Sequence, residues 1–322
     1  MAVEKPLIAV VVPCYNEEEV LPISIPKILD ILDRMAVKGL VARESFVLCC
    51  DDGSKDATWK VINGLHSADP RVKGLSLAHN RGHQNVLMAG LMTVRDLCDA
   101  AISIDADLQD DPEAMVEMVE KFNDGAEIVY GVRGDRSTDT RFKRLTARGF
   151  YSFQNAMGLE TVYDHADYRL MSRRALELLS RYGERNLFLR GIVPQLGLTT
   201  AKVYYKRDAR AAGESKYPFM KMLNFSIDGI TSFTSKPIRL IFMTGLVFLL
   251  LDLLVGAWVL TAYFTGQAIT GWSSLMLSVW FLGSLVLIAI GIVGEYIGKI
   301  FTEVKGRPLY AVKEEVGIGK TL

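Results

Sequence analysis

From Leu275 to Gly294 the chain carries no charged residue, and from Ile238 to Phe264 its only ionisable side chains are Arg239, Asp252 and Tyr263. Each run is long enough to cross about 30 Å of hydrocarbon as a helix. Backbone in that medium must satisfy its own hydrogen bonds, so two helices forming a hairpin are expected, at about 238–264 and 274–298. The connection "TGQAITGWSS" is uncharged, Lys236 and Arg239 flank the first span, and Lys299, Lys305 and Arg307 follow the second. The positive-inside rule then places both ends of the hairpin, and the rest of the chain with both termini, on the cytoplasmic side of a plasma membrane.

The other residues must supply a soluble part. Among 322 residues, 37 basic side chains balance 37 acidic ones. That balance argues against a dedicated nucleic-acid binder, which carries a basic excess. The four cysteines, Cys14, Cys49, Cys50 and Cys98, sit in or beside apolar stretches without zinc-site spacing, so buried thiols are expected. The N-terminal apolar run meets "NEEE" rather than a small-residue cleavage site, so it is not expected to be a signal peptide.

The first half alternates. Short apolar runs at 7–13, 45–50, 72–78, 100–104 and 127–132 predict strands, and 201–207 predicts another. Helical patterns lie at 20–35, 57–67, 84–96 and 112–122, then at 142–157 and 164–179. This order predicts an α/β domain with a mostly parallel sheet covered by helices on both faces. Ligands on such sheets bind beyond the carboxyl ends of the strands. From Lys216 to Lys236, Phe219, Leu223, Ile227, Ile230 and Phe233 share a helical face, which predicts amphipathic helices on the membrane surface.

Acidic clusters fall at those strand ends. "ISIDADLQDDP" carries Asp105 and Asp107 two residues apart, and extended backbone would point both the same way. Two such carboxylates make a hard-oxygen site for Mg²⁺ or Mn²⁺ that stays open to phosphate. Asp110 and Asp111 precede Pro112 and read as a helix start. "CCDDGSKDAT" adds Asp51, Asp52 and Ser54 as acceptors for a base or ribose, with Asp56 capping the next helix. "VVPCYNEEEVL" adds Asn16 and Glu17 at the same edge. No G-x-G-x-x-G follows the first strand, and "GIGKT" at 317–321 has Glu314 where a P-loop needs its first glycine.

Seven stretches, "VVPCYNEEEVL", "DDGSKDAT", "NRGHQNVLMAGL", "SIDADLQDDPE", "DYRLMSRRAL", "AGESKY" and "GEYIGKIFTEVKGRPLY", together resemble the family-2 glycosyltransferases from about residue 7 to 312. The resemblance is to polyprenyl-phosphate hexose synthases: bactoprenol glucosyltransferases and, more distantly, dolichol-phosphate mannose synthases. It implies a GT-A-type nucleotide-binding fold and inverting transfer of a hexose from a nucleotide diphosphate to a lipid phosphate. It assigns Asp105 and Asp107 to the metal–diphosphate motif. Pro13, Tyr15, Glu17 and Asp52 match nucleotide-pocket positions. Asp167 matches the acid often assigned as catalytic base, with Tyr168 where many relatives have phenylalanine. Arg133, Arg136 and Arg144 fall in the segment resembling the lipid-phosphate site. The cations of "YYKRDARAAGESKYPFMKML", including Arg207 and Lys216, with Ser215 as a donor, suggest the opposite wall of that site.

Chemistry tempers the role of Asp167. A phosphate monoester loses its second proton near pH 6, so the acceptor needs little base. Asp167 is thus read either as a base or as an orienting group. The expected division is a catalytic domain at 1–215, juxtamembrane helices at 216–237, the hairpin at 238–300 and a cytoplasmic tail at 301–322. The expected partners are UDP-glucose, undecaprenyl phosphate and the membrane. UDP-N-acetylglucosamine, UDP-galactose and GDP-mannose stay open as donors. Gly291, Gly294 and Gly298 permit close helix packing, so a homo-oligomer is expected. The rival reading is a membrane-tethered nucleotide-sugar sensor or scaffold.

Overall fold

The computed structural model describes residues 5–134, 165–205, 236–265 and 271–319. These fall into an α/β unit, to which residues 307–319 belong, and a second unit of long helices.

The α/β unit is built on an eight-stranded sheet of order β7-β5-β6-β4-β1-β2-β3-β8. Its strands are β1 (Ile8–Cys14), β2 (Phe46–Asp51), β3 (Val72–Leu77), β4 (Ala100–Ser103), β5 (Ile128–Arg133), β6 (His165–Ser172), β7 (Thr200–Tyr205) and β8 (Val312–Val316). β1 pairs parallel with β2 and β4, β2 with β3, and β5 with β7. β6 and β8 are the antiparallel members. β1 is buried along its whole length, because a central strand covered on both faces needs apolar residues at every position.

Four helices cover the sheet: α1 (Leu21–Val37), α2 (Thr58–Ala68), α3 (His83–Val94) and α4 (Ala114–Asn123). α1 buries Leu21, Ile25, Ile28, Leu32 and Met35, a stripe at helical spacing that packs in one core with Val10 and Val12. Val11 points to the other face, where α3 approaches so closely that a Cβ on Gly90 would lie 2.5 Å from both Val11 Cγ1 and Cys50 Sγ. Gly90→Ala should therefore lower stability by about 1–3 kcal/mol through overpacking. Thermal unfolding of the purified variant checks this; an unchanged midpoint would show that α3 can move away.

Two expectations need correction. Residues 164–179 are not one helix. They form β6, inserted between β4 and β5, and then α5 (Arg173–Leu179), whose N-cap Ser172 Oγ accepts from Ala175 N at 3.1 Å. Tyr168 and Leu170 alternate into the core, so the period is two, not 3.6. The C-terminal stretch is not a bare tail either: β8 pairs antiparallel with β3, and Trp59 Nε1 donates to Glu314 Oε2 at 2.7 Å. An edge strand needs one backbone neighbour, so the charged "VKEEV" suffices. A further helix, α6 (Leu189–Gln195), had no expected counterpart.

The second unit contains α7 (Lys236–Phe264) and α8 (Trp272–Lys305). Phe248 and Phe281 meet edge-on with ring centroids 6.0 Å apart. α8 runs past the expected end at 298 and stops at Gly306, whose φ of 56° is the left-handed conformation of a helix C-cap. Among the described residues, one helical segment, Phe281–Lys305, is long and apolar enough to cross a membrane. The expected helix at 142–157 and the juxtamembrane helices at 216–235 lie outside the described residues.

Candidate active site

Three loops leave the carboxyl ends of β1, β2 and β4 and enclose one cleft of about 320 Å³. Pro13, Tyr15, Glu17, Asp52, Asp105 and Asp107 all line it, so six of the expected site residues are brought together. Asn80 and Gly82, from the loop after β3, and His83, the first residue of α3, complete that wall.

The first two loops are stitched to each other. Asn16, at φ 56°, takes the left-handed conformation that asparagine tolerates. Its N–H donates to Ser54 Oγ at 2.9 Å, and its Oδ1 accepts from Lys55 N at 2.9 Å. Glu17 N donates to Thr58 Oγ1 at 2.8 Å. Gly53, at φ 64°, passes so close to the His79 backbone that any Cβ would lie 2.8 Å from it.

The two aspartates of "CCDDG" separate here. Asp51 is buried, accepting from Ser54 N at 3.0 Å and Ser76 Oγ at 2.9 Å, so it shapes the turn rather than facing a base or ribose. Asp52 lines the cleft and is gripped from behind by Arg81 N at 2.7 Å and Gly82 N at 2.8 Å. Burial raises its pKa, against those two N–H donors.

Asp105 and Asp107 lie beyond the end of β4, with Asp107 in a turn and Leu108 after it at φ 44°. Both still face the cleft. Enclosure by neighbouring groups raises the pKa of Asp105, His83 opposes this, and the carboxylates of Asp167, Asp110 and Asp107 add to it. Among the described residues no group of three ligating side chains forms a complete metal cage. Two carboxylates at an open cleft nevertheless fit Mg²⁺ or Mn²⁺, which keep water and substrate phosphates as their other ligands.

Asp167 projects from β6 and is the most heavily partnered acid in the site. It accepts from Arg169 Nη2 at 2.5 Å, from Arg190 Nε at 3.3 Å and Nη2 at 3.2 Å, and from Gln84 Nε2 at 3.5 Å. His83 Nε2 bridges towards the cleft, 3.6 Å from Asp167 Oδ2 and 3.8 Å from Asp105 Oδ1. Burial pushes the Asp167 pKa up, but Arg190, His83 and Arg169 outweigh it and hold the carboxyl well below its usual range. Such a group is a poor proton acceptor at neutral pH.

Arg133, at the end of β5, pairs with Asp110 through Nε at 3.2 Å and Nη2 at 3.1 Å. Asp110 is therefore a buried ion-pair partner, not a helix-start residue, whereas Asp111 does accept from Glu113 N at 3.0 Å. Arg136, Arg144, Arg207, Ser215 and Lys216 lie outside the described residues. His83, Gln84, Arg169 and Arg190 had no expected site role. "NRGHQN" follows a strand like the other loops and could have flagged His83 and Gln84; nothing local marks Arg190.

Residues 9–179 match the family model described as Glycosyl transferase family 2. An uncharacterised glycosyltransferase of Bacillus subtilis (strain 168) is 48% identical, over 97% of this chain and 93% of its own. The bactoprenol glucosyl transferase of Shigella phage SfII is 40% identical, over 95% of this chain and 97% of its own. Among solved structures, mannosyl-3-phosphoglycerate synthase from Rubrobacter xylanophilus aligns with a TM-score of 0.46 at 17% identity, covering 69% of this chain and 71% of that one. With the family model spanning more than half of the sequence and the phage enzyme aligned nearly end to end, the chain belongs to glycosyl transferase family 2.

Proposed function

We propose that this glycosyltransferase moves a hexose, with inversion, from a nucleotide diphosphate sugar to a polyprenyl phosphate at the cytoplasmic face of the membrane. UDP-glucose and undecaprenyl phosphate are the donor and acceptor put forward. The observation that carries the reading is the single cleft that gathers Pro13, Tyr15, Glu17, Asp52, Asp105 and Asp107 at the carboxyl edge of the sheet. The likeness to a bactoprenol glucosyl transferase supports the lipid acceptor.

In this reading Tyr15, Glu17 and Asp52 hold the nucleoside. Asp105 and Asp107 hold a divalent cation, which when bound supplies charge stabilisation for the departing diphosphate. The acceptor phosphate is already ionised at neutral pH, so the protein's task is to orient it and exclude water.

Connectivity supports a two-span hairpin. β7 ends at Tyr205 and β8 begins at Val312, and both strands belong to one sheet. A chain that leaves a compartment between those points must return to it, so its crossings are even in number. If α8 crosses, a second crossing lies in the same stretch, and α7, with 29 residues, has the length for it. Lys299, Lys305 and Arg307 at the end of α8 favour the cytoplasm for the sheet.

The test incubates purified full-length protein with radiolabelled UDP-glucose, UDP-N-acetylglucosamine, UDP-galactose or GDP-mannose, Mg²⁺ or Mn²⁺, and undecaprenyl phosphate. Label should move into the organic phase from UDP-glucose in preference to the others. Nucleotide binding with no lipid-linked product from any donor would favour a sensor instead.

A further inference from the structure

We propose that Arg190 joins Arg133, which the family resemblance already places at the lipid-phosphate site, in clamping the acceptor phosphate, with Asp167 and Asp110 as the positioning residues that aim them. The inference rests on the lipid-phosphate transfer put forward above and extends it to a residue, Arg190, outside every motif of the sequence.

The two arginines are built alike. Each guanidinium engages an aspartate through both Nε and Nη2. Each aspartate is nearly inaccessible, 3% exposed for Asp110 and 9% for Asp167, whereas each arginine side chain remains 34% exposed. A carboxylate gripping the inner edge of a guanidinium fixes its plane, and planar two-point contact is what recognises phosphate oxygens. Paired strands bring Arg133 beside the acid that holds Arg190: β5 and β6 are adjacent, Val132 lies opposite His165 and Tyr130 opposite Arg169, so Asp167 falls between those two pairs near the end of β5. Two accessible cations, one at the end of β5 and one held on β6 through Asp167, suit a dianion.

Their place suits the acceptor rather than the donor. The nucleotide cleft is bounded by the loops after β1, β2, β3 and β4, and His83 stands between it and Asp167. Arg190 and Arg133 belong instead to α6 and β5. An anion there would approach the sugar from beyond His83, while the diphosphate departs on the side of Asp105 and Asp107. Arg169 completes the frame: it is buried, with Nη2 on Asp167 and Nη1 on the Leu189 carbonyl at 3.3 Å, which ties β6 to the first turn of α6.

The experiment compares the full-length parent protein with Arg190→Gln, Arg190→Lys and Asp110→Asn in detergent. Three quantities are read: KM for undecaprenyl phosphate, the dissociation constant of soluble citronellyl phosphate by calorimetry, and the dissociation constant of UDP with Mn²⁺. Arg190→Gln should raise the first two by about 10–10²-fold, the scale of a lost hydrogen bond to a charged group, and leave UDP binding within about twofold. Arg190→Lys should fall between, because it keeps the charge but loses the fork. Asp110→Asn should raise KM for the acceptor in the same direction. Weaker UDP binding with intact citronellyl phosphate binding would assign Arg190 to the donor and overturn the proposal. So would unchanged acceptor affinity, no citronellyl phosphate binding by the parent, or a parallel loss of both affinities that lysine fails to relieve. A parent that binds citronellyl phosphate through Arg190 but transfers no sugar would leave the clamp standing and bring down the transfer reaction instead.

Discussion

Asp107→Asn is expected to lower turnover by about 10²-fold or more while leaving the folded protein abundant. The side chain faces the cleft beside Asp105, and the substitution removes one of two negative charges available to a divalent cation there. Metal stabilisation of a departing diphosphate is worth several kcal/mol, and about 3 kcal/mol corresponds to roughly 10²-fold in rate. Asp107 sits in a turn outside the apolar core, so its loss should cost little stability. Steady-state kinetics across a Mn²⁺ titration are the measurement: the variant should need more metal and recover only in part. Full parent activity in EDTA would contradict the metal role outright.

Asp167→Asn should have a different signature, because it unfolds as well as inactivates. Arg169 is 2% exposed and relies on Asp167 for charge compensation. Removing one partner of a buried ion pair costs about 3–5 kcal/mol. Turnover should fall too, through misplaced Arg190 and His83 rather than a missing base. The pH dependence separates these causes. The native pKa of Asp167 is held below its unfolded value near 3.9, so its contribution to stability is fully present above that value and is lost as pH falls through the native pKa. The part of the stability gap that comes from the carboxylate itself should therefore be constant from pH 5 to 8 and close only in strong acid. A second part comes from His83, whose pKa burial lowers but Asp167 and Asp105 raise above its ordinary value; that part is present in acid and is lost as pH rises through the raised pKa. In the same window the parent's rate profile should show no acid limb that the substitution abolishes. A limb near neutral pH that disappears in Asp167→Asn, with stability unchanged, would restore the general-base reading.

Much of this site was legible before any tertiary structure. Strands announce themselves by short apolar runs, and the chemistry of a parallel sheet collects at their carboxyl ends. That local logic placed Glu17, Asp52, Asp105 and Asp107 at one edge, the family resemblance added Pro13 and Tyr15, and all six line the cleft. The apolar helices α7 and α8 were equally legible, because length and lack of charge suffice to mark them.

What pattern could not decide is which distant residues meet. Asp167 read as part of a helix because "RRALELL" follows it, yet pairing with β4 and β5 pulled its segment into the sheet. Asp110 read as a helix start because Pro112 follows, yet its partner is Arg133, 23 positions along the chain. Arg190 comes to Asp167 across 23 positions and Gln84 across 83. The charged edge strand β8 has almost no local signature, because only its backbone is needed to pair with β3. Hydrophobic periodicity is a property of neighbours in sequence, so the residues alone determine the strands, the strand-end acids and the apolar helices. Ion pairs and edge pairing are properties of neighbours in space, so only the folded chain decided that Asp167 is held by two arginines and that the C-terminal segment rejoins the sheet.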